Sequence, residues 1–476
     1  MSRVMRPVTT RAGEEADGRS IMILLRVLAL VSLLCGLILE SAQTARAEVA
    51  RDCTLYAAAD GRDTNSGKSP SAPKTLSGAS SVSQPGSTIC LKGGTYNLSS
   101  TFYPARGGTE NAWIVYKAYG DAPAEIVWTG GGSSTDLIGF FGRLPWTGQN
   151  YIEMRDLSLN GQNSAAYGFK CNNTHHLRFV GNEITNMSAG GIGSVLCDYL
   201  TADSNMVFLN GYNQGWSSGI SFNSNQWYGG YLGFHNLVLN NVIAGTFDAS
   251  SYKTDGNGII MDLSNRTYDA RSANTPPALI ANNVVYQNGG RCINTFVVSH
   301  IWVVNNTCYS NALDTAQTDG EIVTNKSRDN YFLNNIAYAW NNRQPFMQLN
   351  TNQNITYYRN IVYGGALGFR SPFSSEFIVA DPLFVGPPVL HPTSDGQYRT
   401  ALEPDRLGDG LALRAGSAAI DRGLDPTTIP GISDEIAAGL LQFVFTDREG
   451  TPRPQGAGFD IGAYEYRASA PAEFLR

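Results

Sequence analysis

Charge is scarce in this chain. Only 16% of its 476 residues are Asp, Glu, Lys or Arg, and lysine is down to seven. The formal net charge of −6 argues against nucleic acid as a main partner, because phosphate binding requires an excess of Lys and Arg. Long Ala/Glu/Lys/Leu periodicity is missing, which disfavours a helical bundle. No Cys-x-x-Cys occurs, so neither a zinc site nor a redox pair is suggested. Histidine is limited to five residues, none in a catalytic motif context. A single long apolar run, Ile21 to Leu39, is followed by the small-x-small triplet Ala45-Arg46-Ala47. That arrangement predicts a secretory signal peptide over 1–47, with an N-terminal membrane anchor as the alternative. No second apolar stretch is long enough to span a bilayer. The expected product is soluble, secreted to the periplasm or medium, and monomeric.

What the chain does have is glycine, asparagine and a repeat. Residues 150–360 contain 35 Asn, and these fall in a recurring frame of apolar-x-apolar-x-x-Asn-x-apolar. Leu177 to Ile184, Leu237 to Ile243, Leu279 to Val285, Ile301 to Asn306, Tyr331 to Ile336 and Ile355 to Ile361 carry it. Looser copies sit at Ile152 to Leu159, with Asp156 in the Asn slot, and at Leu200 to Val207. A fixed period in the range of about 20–50 residues signals a solenoid. Alternating apolar residues over four to six positions mean short strands. Further short strands are predicted near Ile192, Ile220, Ile259 and Ile322. Together they predict an all-β parallel β-helix, in which the stacked Asn amides satisfy one bend of every coil.

Six cysteines remain beyond residue 47, and an even number in an exported chain suggests disulfides. Their spacing favours Cys53–Cys90, Cys171–Cys197 and Cys292–Cys308.

Ala59-Asp-Gly-Arg-Asp63-Thr-Asn65-Ser-Gly67 and Ile89-Cys-Leu-Lys-Gly-Gly94-Thr-Tyr96 open the mature chain. With the tail segments Asp381-Pro-Leu-Phe384, Leu413 to Gly423 and Asp460 to Glu465, they resemble exported right-handed parallel β-helix proteins of the pectate-lyase-like superfamily. The resemblance implies an N-terminal cap over 48–130, coils over 131–376 and a closing segment over 377–476. It is specific for fold and export, since this fold carries lyases, hydrolases, epimerases and adhesins.

Three stretches offer chemistry. Asp248, Asp255 and Asp262 fall around a Gly-rich turn and suit a hard cation; the segment is similar to the Asp-Gly motif of calcium-dependent pectate lyases, which implies Ca²⁺. Glu321 to Ser327 resembles the Glu-x-x-x-x-Lys-Ser segment of the chondroitinase B and alginate lyase family. That likeness implies Lys326 as the base and Glu321 as its support. Arg291 lies between them in coil order and suits a sugar carboxylate. Arg343 and Arg370 stand in for that family's partner Arg, while Lys253, Tyr252 and Trp227 are candidate sugar contacts. The expected function is a polysaccharide lyase acting on a uronate polymer by β-elimination. The alternatives are a hydrolase with paired carboxylates, Asp255 with Asp262 or Glu321, and a non-catalytic glycan binder.

Overall fold

The computed structural model describes residues 52–143, 146–263, 274–365, 376–388, 391–392, 398–399 and 408–468. The predicted signal peptide and Arg370 lie outside them. Among the described residues no helix is long and apolar enough to cross a membrane.

The repeat winds into a parallel β-helix with three strands per coil. A nine-stranded sheet stacks Tyr167–Asn172, Gly190–Val195, Ile220–Asn223, Ile259–Asp262, Ile293–Phe296, Ile322–Asn325 and Phe346–Leu349 in parallel register. A second, twenty-stranded sheet contains the other two strands of each coil, such as Ala278–Ala281 with Ile301–Val304 and Val284–Tyr286 with Thr307–Tyr309. Equivalent positions therefore recur at about 4.8 Å along the axis. Inside, Ile192, Ile220, Ile259, Ile293, Ile322 and Phe346 form one buried column.

The Asn-Asn pairs have divided roles. The first residue, as in Asn240, Asn282, Asn305 and Asn334, takes a left-handed φ of 54 to 57°, a conformation Asn tolerates better than most side chains. The second is fully buried and forms a ladder, Asn182–Asn205–Asn241–Asn283–Asn306–Asn335–Asn360, each Nδ2 donating to the next Oδ1 at 2.9–3.0 Å. Each Oδ1 also accepts a backbone N–H of the preceding coil, as Asn283 does from Asn241. The copy at Asp156 is out of step with the expected slot: Asp156 occupies the left-handed position, φ 56°, and Leu157 the ladder position, donating its N–H to Asn182.

A pinch sets the bore. Gly168, Gly191, Gly219 and Gly258 precede the inward residues of four successive strands, and an added Cβ would overlap Ile184, Val207, Ile243 and Val285 opposite. In the next coil this position is Cys292, bonded to Cys308 across the same gap with Cα atoms 5.7 Å apart. Cys53–Cys90 is the other disulfide. The third expected bridge is not formed: Cys171 and Cys197 are free, buried thiols in contact with each other, and the Cys197 Sγ also lies 3.6 Å from Thr174 Oγ1 and 3.4 Å from the Val195 carbonyl.

The closing segment covers the outside of the larger sheet. Helix Asp434–Val444, capped by the Ser433 hydroxyl accepting from Ile436 N, buries Ile436, Leu440 and Val444 against Leu279, Trp302, Val304 and Leu333. Beside it Leu411, Leu413, Ile461 and Tyr464 pack on Val242, Val284 and Ile336. A buried ion pair, Arg453–Glu465 at 2.9 Å, ties this segment together. Among the described residues the closing segment packs on the larger sheet, and the candidate chemistry gathers on the outer face of the nine-stranded sheet.

Candidate active site

The four-residue strands of the nine-stranded sheet give the site two rims. One rim precedes the strands and holds Asp248, Lys253, Asp255, Arg291 and Arg343. The other follows them and holds Asp262 and Lys326. A strand of four residues separates the rims by about 13 Å.

The first rim is a zipped pair of loops. Asp248 is buried, and its carboxylate accepts four backbone N–H groups, from Trp216 (3.2 Å), Ser250 (2.8 Å), Thr254 (3.1 Å) and Asp255 (3.1 Å). Lys253 Nζ donates to the Asp248 carbonyl at 2.6 Å and pairs with Asp314 at 3.4 Å. Arg291 pairs with Asp319 and donates to the Thr254 carbonyl at 2.9 Å. Arg343 donates to the carbonyls of Ala312 and Asp314, and Gln317 to that of Asp255. Lys253, Arg291 and Arg343 are thus engaged in holding loops. Sequence reasoning missed Asp314, Gln317 and Asp319, which complete the zip.

Asp248, Asp255 and Asp262 do not bring their oxygens into one coordination shell. Asp248 is saturated with N–H donors, and the one group of potential ligands that converges among the described residues is Cys292, Cys308 and Glu321, where the two sulfurs are bonded to each other. The three carboxylates do not fit the expected Ca²⁺ cage, and no step below is routed through a metal.

Glu321 corrects a second expectation. It occupies the inward pinch position, is fully buried, and accepts from Asn311 N at 2.9 Å and Asn311 Nδ2 at 2.6 Å. It ends a second amide ladder, in which Asn288 Nδ2 donates to Asn311 Oδ1 at 2.8 Å. Burial raises its pKa to about 8 against the lowering pull of Asn311. It faces the core, and Lys326 is on the far rim, half-buried at a left-handed φ of 49°. Asp255, Arg291, Glu321 and Lys326 are therefore not one cluster.

What converges on the sheet face is a different set. Gly190 and Gly193 leave a floor on which the Tyr167 ring and the Lys170 side chain lie flat; a Cβ at Gly193 would meet both. Lys170 Nζ sits 4.0 Å from the Tyr167 ring centroid. From the far side Asp262 leans back, its Oδ2 accepting from Asn223 Nδ2 at 2.7 Å. Tyr167 lies within electrostatic reach of Lys170, Asp255, Asp136 and Asp262; its pKa is raised, first by burial and then by the three carboxylates, with Lys170 opposing. Burial lifts Asp136 and Asp255 to about 6, with Lys170 opposing at Asp136 and Asp248 adding at Asp255. Asp262 rises to about 7 through burial and then through Asp255. Asp262 is about half protonated at neutral pH, whereas Asp136 and Asp255 hold their protons mainly below about pH 6. Tyr167, Asp136 and Asn223 were missed by sequence reasoning. Lys170 carried the signal of its rarity, as one of three lysines among the coils.

A second cluster lines the turn that leads from the nine-stranded to the larger sheet. Tyr151, His176, Tyr199 and His235 stack ring on ring at 4.1–4.5 Å, one per coil. His175 Nδ1 lies 2.7 Å from His176 Nδ1, and His235 Nδ1 lies 2.7 Å from Asp198. Burial lowers His175 to about 4 and His176 to about 3. Trp227, an expected sugar contact, belongs here, edge-on to His235 at 4.9 Å with its Nε1 donating to Asn274 O. His175 and His176 are neutral, mutually paired packing groups, and His235 is held by Asp198.

No family model and no curated protein matches this chain. Solved structures do. Pectate lyase Pel9A aligns over 87% of this chain and 96% of its own at 18% identity and a TM-score of 0.45. A rhamnogalacturonan lyase aligns over 74% of this chain and 96% of its own at 13% identity and a TM-score of 0.40. The A-module of the Azotobacter vinelandii mannuronan C-5 epimerase AlgE4 aligns over 62% and 91% at 14% identity and a TM-score of 0.35.

Proposed function

We propose that this protein cleaves a uronate-containing polysaccharide by β-elimination, the polymer lying along the groove of the nine-stranded sheet. The observation that supports this most is the Lys170 amine packed on the Tyr167 ring over a glycine floor, with Tyr167 within electrostatic reach of Asp136, Asp255 and Asp262. Elimination requires a base for the weakly acidic proton beside the uronate carboxylate, an acid for the leaving oxygen, and compensation for charge that builds on the carboxylate. Lys170 is the base that takes the proton. The phenol of Tyr167, kept protonated by its raised pKa, gives one to the departing glycosidic oxygen. Asp262, about half protonated at neutral pH, donates a hydrogen bond to the uronate carboxylate. The C–H and C–O electron pairs become a double bond and a new hydroxyl, and the base and acid exchange protons with water. The two disulfides favour an oxidising compartment, in keeping with export.

A second reading is hydrolysis with Asp255 and Asp262 as acid and base, favoured by the upward push Asp255 exerts on Asp262. Digestion of uronate polymers distinguishes them. Elimination yields unsaturated ends that absorb in the ultraviolet. Reducing ends without that absorbance establish hydrolysis, and no cleavage of any uronate polymer overturns the enzyme reading. Because Asp255 and Asp262 ionise as pH rises through about 6 to 7, KM for the polyanion is expected to climb across that interval.

A further inference from the structure

Trp216 and Tyr252 are 66% and 67% exposed, yet they are not scattered surface residues. Their rings stack in near-parallel planes, centroids 5.5 Å apart and 20° between them. They come from consecutive coils and stand on the first rim of the groove. Single exposed aromatics are ordinary; a stacked pair on a braced loop is a built surface. Its support is rigid. Asp248 accepts the Trp216 N–H and the Ser250, Thr254 and Asp255 N–H groups on either side of Tyr252, and Lys253 is pinned to the Asp248 carbonyl and to Asp314. The pair also adjoins the reaction centre directly, since the Tyr167 hydroxyl reaches the Trp216 carbonyl at 3.4 Å.

We infer that Trp216 and Tyr252 form a sugar-stacking subsite that grips a pyranose ring of the polymer outside the cleaved linkage. Two-thirds of each side chain is presented to a ligand at almost no ordering cost, because the backbone beneath is already fixed. A pyranose offers such a surface an apolar C–H face while its hydroxyl edge stays in water. The inference rests on the function proposed above, and it assigns Asp248 a positioning role: one carboxylate sets both the platform and Asp255.

Trp216→Ala and Tyr252→Ala should each raise KM for long polymer about tenfold, the loss of one stacking contact, with kcat little changed. Trp216→Phe, which keeps a ring, should recover most of the loss. Unchanged melting temperatures will show that the exposed substitutions leave the fold intact. If wild-type protein cleaves polymer and both alanine variants keep its KM, the subsite is refuted while the proposed function stands. If wild-type protein cleaves nothing, affinity electrophoresis in gels containing polygalacturonate or alginate decides: retardation lost in Trp216→Ala upholds the subsite, and no retardation of the wild type in either gel overturns it.

Discussion

Glu321 and Asp262 lie one on each side of the same sheet, and burial raises both carboxyl groups, to about 8 and about 7. Their surroundings differ. Glu321 meets the amide and backbone N–H of Asn311 in a sealed corner beside a disulfide. Asp262 meets an amide, a second carboxyl group and, through Tyr167, a lysine. A displaced pKa marks chemistry only where the proton has somewhere to go and a substrate has somewhere to lie. The interior acid is a cap on a ladder. The outward acid is the one the proposed reaction uses.

The contrast is broken most directly by Lys170→Ala. Turnover should fall by a factor on the order of 10² to 10⁴, the usual worth of a positioned acid or base. Glu321→Gln should leave turnover at the wild-type level; initial rates on one uronate polymer measure both. An unaffected Lys170→Ala would return the groove to the status of a surface.

Stability is expected to separate the acids in the opposite sense. Glu321→Ala strands two donors of Asn311 and opens a cavity, costing about 2–4 kcal/mol in urea unfolding at pH 6. Glu321→Gln keeps the acceptor for Asn311 and should be near neutral there. Its effect emerges with pH. The folded protein holds the Glu321 proton up to about pH 8, whereas the unfolded chain releases it near the ordinary glutamate value. Wild-type stability from this group therefore falls as pH rises from about 4.5 to 8, by on the order of 5 kcal/mol, and levels off above. Removing the titration should flatten that slope, so the Gln variant becomes the more stable protein at pH 8.

The smallest effect belongs to Lys326. It stands on the far rim, two coils beyond Asp262, so Lys326→Ala should change kcat/KM less than about threefold. A loss comparable with that of Lys170→Ala would move the reaction centre across the sheet and make the lysine motif, rather than the glycine floor, the correct guide.

The winding was legible in the chain because its signals are local. An apolar alternation, a left-handed Asn and a ladder Asn all sit within a few residues of one another, and they repeat. The site was not, for a reason visible at Glu321. Simple alternation with Ile322 puts Glu321 outside, but at this corner two adjacent residues both turn inward, as Gly258 with Ile259 and Cys292 with Ile293 do. The coil count correctly made Arg291 and Lys326 near neighbours along the axis and could not show that a whole strand width lies between them. Asp248 misled for another reason: a carboxylate in a Gly-rich loop reads the same whether it waits for a cation or is filled by backbone N–H groups. The third cysteine pair shows the limit of spacing, since Cys171 and Cys197 meet as thiols.

The file of glycines along the pinch has a consequence for how such a molecule can change. A side chain at Gly191 or Gly219 would meet Val207 or Ile243 opposite, so in these coils the calibre of the tube is closed to adjustment by substitution. Its length is not, because an extra full turn meets the same neighbours above and below as every other turn. The open face can therefore grow or shrink by gaining or losing whole windings, while the diameter stays inherited.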